Sequence, residues 1–130
     1  IMSEKFTVEV ISPDRTILKV NAIEVVIPSY EGEIGILKDH IPLITFLRPG
    51  LIKIIDETNK ILFVEDGTVE FVNNNLLILT STAQEISNFD KASINQLLNE
   101  AEKKISHDKI TDKEKYLLSY KIETLKNINK

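Results

Sequence analysis

Residues 5 to 11 alternate strictly, with Phe6, Val8 and Val10 on one side and Thr7 and Glu9 on the other. That two-residue period marks a half-buried strand. Ser12, Pro13 and Asp14 then signal a turn, and residues 16–20 and 22–28, rich in Val and Ile, predict two further extended segments. Later strands are predicted over 42–47, 51–55, 61–64, 69–72 and 76–81, separated by Arg48-Pro49-Gly50, residues 56–60, Asp66-Gly67 and Asn73-Asn74-Asn75. Asp66-Gly67 reads as a hairpin turn. Roughly eight to ten short strands at this spacing, with no helical stretch between them for parallel crossovers, predict an antiparallel β-sandwich or flattened barrel.

Past Asn88 the period changes. Ile94, Leu97, Leu98, Ala101 and Ile105 share one face of a helix, with Asp90 as its N-cap. Thr111 and Glu114 have capping-box spacing at the start of a second helix, whose stripe is Leu118, Ile122, Leu125 and Ile128. A short polar link, residues 106–110, predicts an antiparallel hairpin. The fold class is therefore α+β, with a β-sandwich over residues 1–87 and a helical hairpin over 88–130. Each helix has a narrow apolar face, so the hairpin is expected to need only partial help from the sandwich, and a detachable hairpin is conceivable.

Between the first strands and the later ones lies the stretch YEGEIGILKDHIPLITFLRPG, residues 30–50, which holds three of the four glycines. Gly32 and Gly35 sit in a polar hinge, Glu31 and Glu33 bracket the first of them, and Asp39, His40 and Pro42 close the segment. Glycine permits backbone angles closed to other residues, and a residue before proline is pushed towards extended geometry. The expectation is a loop of defined shape, the kind of element at which partners meet a scaffold.

Composition adjusts this picture. Of the residues, 42% are hydrophobic and 28% charged, as expected of a folded globular chain. The net charge of −4 is uneven. Residues 1–87 carry seven Lys and Arg against thirteen Asp and Glu, whereas residues 88–130 carry nine against seven. The sign changes where the period changes, which points to two modules with different surroundings. No run approaches the ~18 apolar residues of a spanning helix, and no basic-then-apolar secretory pattern opens the chain. Cysteine is absent, which excludes disulfides and thiolate zinc sites.

Candidate chemistry is sparse. His40 beside Asp39 and near Glu31 and Glu33 suggests an acid–base or metal cluster, but a histidine that fixes a loop by hydrogen bonds is the stronger reading. No catalytic residue and no metal ligand is assigned. Gly32-Glu33-Ile34-Gly35 matches the GXXG of KH domains only in outline, because it joins strands and is acidic, so nucleic acid is not an expected partner. Phosphate-binding glycine loops and a Gly-x-Ser-x-Gly elbow are absent.

Glu31-Gly32-Glu33-Ile34-Gly35-Ile36-Leu37, then His40-Ile41-Pro42-Leu43, then Arg48-Pro49-Gly50, resembles the central loop of the epsilon subunit family of bacterial F-type ATP synthases, the counterpart of the mitochondrial delta subunit. The order of modules agrees. The resemblance implies a non-catalytic rotor subunit of the central stalk, peripheral to the membrane through its complex, at the cytoplasmic face of the bacterial inner membrane. It implies a sandwich that packs on the gamma subunit and a contact with the polar loops of the c-ring through Glu31, Gly32, Glu33, Gly35 and His40. The family's hairpin extends in many members and restrains ATP hydrolysis. Lys103, Lys104, Lys109, Lys113, Lys115 and Lys121 are the candidates here for contact with the alpha and beta catalytic subunits. Some members bind ATP through [IL]-D-x-x-R-A at the start of the hairpin. Here Asp90 is kept, but Ser93 stands at the arginine position and Ile94 at the alanine position, so no cofactor is expected. A free-standing sandwich that binds proteins, with a helical tail, stays open as the alternative class, and an isolated enzyme ranks third.

Overall fold

The computed structural model describes residues 4–128, and residues 1–3 and 129–130, the outer ends of the two predicted modules, lie outside them. The first strands are β1 (Phe6–Ile11), β2 (Thr16–Ala22), β3 (Glu24–Ser29), β4 (Gly32–Leu37) and β5 (Leu43–Leu47). They are followed by β6 (Gly50–Ile55), β7 (Lys60–Val64), β8 (Gly67–Val72), β9 (Asn75–Leu79) and β10 (Gln84–Glu85). A 3-10 turn, Ile86–Asn88, leads into α1 (Lys91–Ile105) and α2 (Asp112–Ile128).

The strands form two layers, β10-β7-β6-β3-β4 and β5-β8-β9-β1-β2. A single pair, Ser29 with Leu47, joins them. All pairings are antiparallel but one, β1 beside β9. Alternation sends one face of each layer inward. Val25, Ile27, Ile36, Ile52, Ile54, Leu62 and Val64 from the first layer meet Phe6, Val8, Val10, Val69, Phe71, Leu76 and Ile78 from the second in one cluster. Phe6 meets Phe71 edge to face, with ring centroids 5.5 Å apart.

Glycines at 50 and 67 carry the chain between layers. The hairpin expected at Asp66-Gly67 does not form: β7 pairs with β6 and β10, whereas β8 pairs with β5 and β9. Gly67 instead turns the chain across the sandwich at φ +148°, and a Cβ there would lie 2.6 Å from the Leu79 carbonyl oxygen. At Gly50 a Cβ would fall 2.5 Å from Pro28 Cβ. Asn73 and Asn74, both with positive φ (52° and 61°), make the two-residue turn of the β8–β9 hairpin, a geometry for which Asn is suited.

The central stretch is not mainly a loop. Ser29 pairs with Gly32 around a two-residue turn, and β4 then runs along β3 in full register. The reason is alternation: Ile36 is fully buried in the core and Ile34 packs against it, so the spacing of these isoleucines outweighs the two glycines.

The two helices form as expected. Asp90 Oδ1 accepts the Ser93 backbone N–H at 2.7 Å, and Thr111 and Glu114 cap reciprocally, at 2.9 and 3.1 Å. These backbone donors hold both the Asp90 and the Glu114 carboxyl below the usual carboxylate range. Ile94 and Leu125 close, with Phe63, a second cluster that also takes in Leu51, Phe89, Leu97, Leu98 and Ile128. Leu51 and Phe63 are register partners on the outer face of β6 and β7, so the hairpin covers that face of the first layer.

Gly67→Ala is expected to destabilise the chain by about 2 kcal/mol or more, because it adds strain at positive φ and a collision with backbone. Gly35→Ala is expected to cost less, since only the end of the Glu24 side chain lies near, at 3.3 Å. Denaturant unfolding of both variants checks the contrast.

Candidate functional site

The outer face of the second layer is uncovered, and over β5, β8 and β9 it is mainly apolar. Along β5, Leu47 and Thr45 point inward, which leaves Ile44 and Phe46 outward at 74% and 58% exposure. Register continues the face across the sheet: Ile44 lies opposite Glu70, which lies opposite Leu77, and Phe46 opposite Thr68, which lies opposite Leu79. Val72 adds to one end and Ile41 to the approach, both exposed. At the other end the face runs into an open groove of about 990 Å³, bordered by Ile11, Pro13, Tyr30, Phe46, Leu79 and Lys113. A contiguous apolar surface on a folded chain marks a contact site.

The charged turn sits at one end of the sandwich. Ser29, fully buried, donates its hydroxyl to the Gly32 carbonyl at 2.7 Å and accepts the Glu31 backbone N–H at 3.2 Å. Gly32 has φ +117°, which only glycine adopts easily. Glu31 is exposed, and one carboxylate oxygen accepts the Thr45 hydroxyl at 3.0 Å; Glu33 and Gly35 are exposed on β4. His40 does not join them. The length of β4 lies between, on the order of 20 Å at ~3.3 Å per residue. His40 stacks edge-on against Phe71 with centroids 5.9 Å apart, and its Nδ1 pairs with the Ile41 carbonyl at 2.7 Å. Beside it the Asp39 backbone N–H donates to Asn74 Oδ1 at 2.7 Å, and Asn74 Nδ2 donates to the Asp39 carboxylate at 3.0 Å. This end of the sheet is thus a hydrogen-bonded clamp between loops.

Five of the six candidate lysines, Lys103, Lys104, Lys109, Lys113 and Lys115, are exposed and enter no ion pair among the described residues. Lys121 differs. Its ammonium lies 2.9 Å from the Glu65 carboxylate, so it ties α2 to the sandwich. At the preceding residue the Arg48 guanidinium lies 3.9 Å from the centroid of Tyr120; one turn back Tyr116 meets Tyr120 and also stacks on Tyr30. Desolvation within this cluster, with the Tyr120 hydroxyl alongside, raises the Tyr116 phenol above its ordinary pKa. In the sequence Arg48 stands out only as part of Arg48-Pro49-Gly50, not as a partner of the hairpin, and the tyrosines do not stand out; the four-residue spacing of Tyr116 and Tyr120 on a helical face is the available signal.

The residues that match the nucleotide motif have structural occupations. Asp90 caps α1, Ser93 supplies the capped N–H, and Ile94 is core. Among the described residues no group of three or more His, Cys, Asp or Glu is placed to hold a metal ion, and no helix is long and apolar enough to cross a membrane.

The described residues form a ten-stranded sandwich with an antiparallel helical hairpin on one face and an exposed, mainly apolar surface on the other, the architecture of a sandwich-and-hairpin protein. Residues 5–86 match the family described as ATP synthase, Delta/Epsilon chain, beta-sandwich domain. The ATP synthase epsilon chain of Pelagibacter ubique is 48% identical over 130 residues, which is 98% of this chain and 100% of that one. The chloroplastic ATP synthase epsilon chain of Guillardia theta is 35% identical over 124 residues, 95% of this chain and 89% of that one. In overall shape the chain is similar to one in the Euglena gracilis mitochondrial ATP synthase (OSCP/F1/c-ring, rotational state 1), with a TM-score of 0.80, 22% identity, and coverage of 98% of this chain and 82% of that one. At that identity the likeness concerns the fold alone. The chain belongs to the delta/epsilon subunit family of ATP synthases.

Tyr120→Ala removes the Arg48 stack while leaving the capping box intact, and is expected to weaken hairpin docking by about 0.5–2 kcal/mol. Amide hydrogen exchange should quicken along α2 and stay unchanged in β1, β8 and β9. Equal exchange in α2 would show that this cluster does not hold the hairpin.

Proposed function

We propose that the chain is a non-catalytic subunit of the central stalk of an F-type ATP synthase, which transmits rotation between the membrane ring and the catalytic head. The observation that carries this reading is the asymmetry of the sandwich: the hairpin covers the β6–β7 part of one outer face, while the β5, β8 and β9 part of the other is mainly apolar and uncovered. The bare face of β5, β8 and β9 is where the gamma subunit packs. Full burial of Ile44 and Phe46 stabilises a complex by roughly 1.5–3 kcal/mol each, whereas an exposed ion pair contributes about 0–1 kcal/mol. Apolar contact therefore sets affinity for gamma, and charge tunes the remaining contacts.

The Ser29-braced turn presents Glu31 and Glu33 to the polar loops of the c-ring, a wet and charged contact suited to a joint between rotor parts. His40, at the far end of β4, acts by holding its loop. The hairpin is the regulatory module: docked, it is held by Arg48, Tyr120 and Lys121; released, it offers Lys103, Lys104, Lys109, Lys113 and Lys115 to acidic segments of the alpha and beta subunits and restrains hydrolysis. The subunit is peripheral, attached to the cytoplasmic face of the bacterial inner membrane through its complex, and couples ion flow to synthesis without binding ATP itself.

One reconstitution tests these assignments. Membranes stripped of this subunit are supplied with the full chain, with Ile44→Asp/Phe46→Asp, with Glu31→Lys/Glu33→Lys, or with a chain in which the five free lysines are neutralised. The first pair is expected to lose binding to the gamma-containing core by at least a hundredfold. The second should bind the core but leave proton-driven synthesis impaired, and the third should assemble normally and hydrolyse ATP faster, an effect that high salt mimics. Normal assembly with the two aspartates would refute the docking face, and unchanged hydrolysis in the third would refute the brake.

A further inference from the structure

Over β5, β8 and β9 the bare face is interrupted by one charge. Glu70 on β8 is exposed and stands between Ile44 on β5 and Leu77 on β9, with Phe46 and Leu79 in the next row and Val72 two residues along its own strand. Among the described residues its carboxylate enters no ion pair. The cation in the same row of this face is Lys19 on β2, whose direct register partner is Glu9 on β1; it lies three strands from Glu70, about 14 Å at ~4.8 Å per strand.

A carboxylate among apolar side chains keeps its hydration only while the face is open. When a partner covers the face that water is lost, and the cost of a buried, unpaired charge is several-fold larger than any single apolar contact around it. A wholly apolar partner is therefore rejected, as is the same partner shifted out of register. A partner that brings a cation to this point is accepted, because the pair then forms where water is excluded. The flanking Ile44, Phe46, Leu77 and Leu79 supply the apolar rim that excludes it.

We propose that the face takes a partner surface that is apolar apart from one guanidinium or ammonium group, seated on Glu70, and that this pair fixes the register of docking. The inference rests on the reading of this face as the contact with gamma, and it names the chemistry gamma must present there.

The test compares the full chain, Glu70→Gln, Glu70→Lys and Ile44→Asp for binding to the gamma-containing catalytic core stripped of this subunit, each at low and high salt, with thermal unfolding as the check on folding. Because Glu70 and Ile44 are both exposed, all three variants should unfold near the parent temperature. Glu70→Gln is expected to weaken binding about tenfold and to flatten its salt dependence, and Glu70→Lys to weaken it at least a hundredfold. If Ile44→Asp binds as the parent does, the face is not the contact and the underlying reading fails. If Ile44→Asp abolishes binding while Glu70→Gln binds as tightly as the parent, the docking face stands and this inference is overturned; Glu70 is then a solubilising charge on an otherwise sticky sheet.

Discussion

The closure of two β-layers on one shared core is the constraint from which the functional surfaces follow. Once Val8, Val10, Ile27, Ile52, Phe71 and Ile78 have been turned inward, each layer has a single outer face left to offer. The passage between layers is made at Gly50 and Gly67, where backbone and Pro28 leave no space for a side chain. These crossovers decide which strands share a layer. They place β5 beside β8 and β9, and so assemble Ile44, Phe46, Val72 and Leu79 into one surface from parts of the chain more than twenty residues apart.

The other face shows how little is needed to hold a helical hairpin. Leu125 and Ile94 are buried against Phe63 among partly buried Leu51, Phe89, Leu97, Leu98 and Ile128, and beside them stand a cation–π stack, the Tyr30–Tyr116 ring contact and an ion pair. Helices of 15 and 17 residues are marginal alone, so their order depends on this docking and on the caps at Asp90 and Thr111. By comparison the sandwich core is larger and continuous. The hairpin's separate cluster, outside the sandwich core, is what the proposed release of the hairpin requires. Lys121 belongs to the docked state through Glu65, which separates it from the five lysines that are free.

Much of the fold was legible because its signals are periodic. Strict alternation marks β1, Val- and Ile-rich runs between turn residues mark most other strands, and the capping box at Thr111 and Glu114 marks the start of α2. The central stretch misled because glycines and charges suggest a loop, while Ile34 and Ile36 keep the two-residue period that packing rewards. Asp66-Gly67 misled for a different reason: local sequence states that the chain turns, not which strand it will pair with afterwards. The candidate site was less legible than the fold. Glu31, Glu33 and His40 are close in sequence, yet an extended strand sets His40 at the opposite end of the sheet, and Arg48 meets Tyr120 only through tertiary packing. The apolar face is likewise a product of cross-strand register and has no signature along the chain.

Side-chain footprinting of the free and assembled subunit shows where gamma packs, since it reads both outer faces at once. With gamma on the β5, β8 and β9 face, Ile44, Phe46, Val72 and Leu79 become protected when the gamma-containing core is bound, while Leu51 and Phe63, already under the docked hairpin, change little. Protection confined to the β6–β7 face, with Ile44 and Phe46 labelled as readily as in the free chain, would contradict that placement.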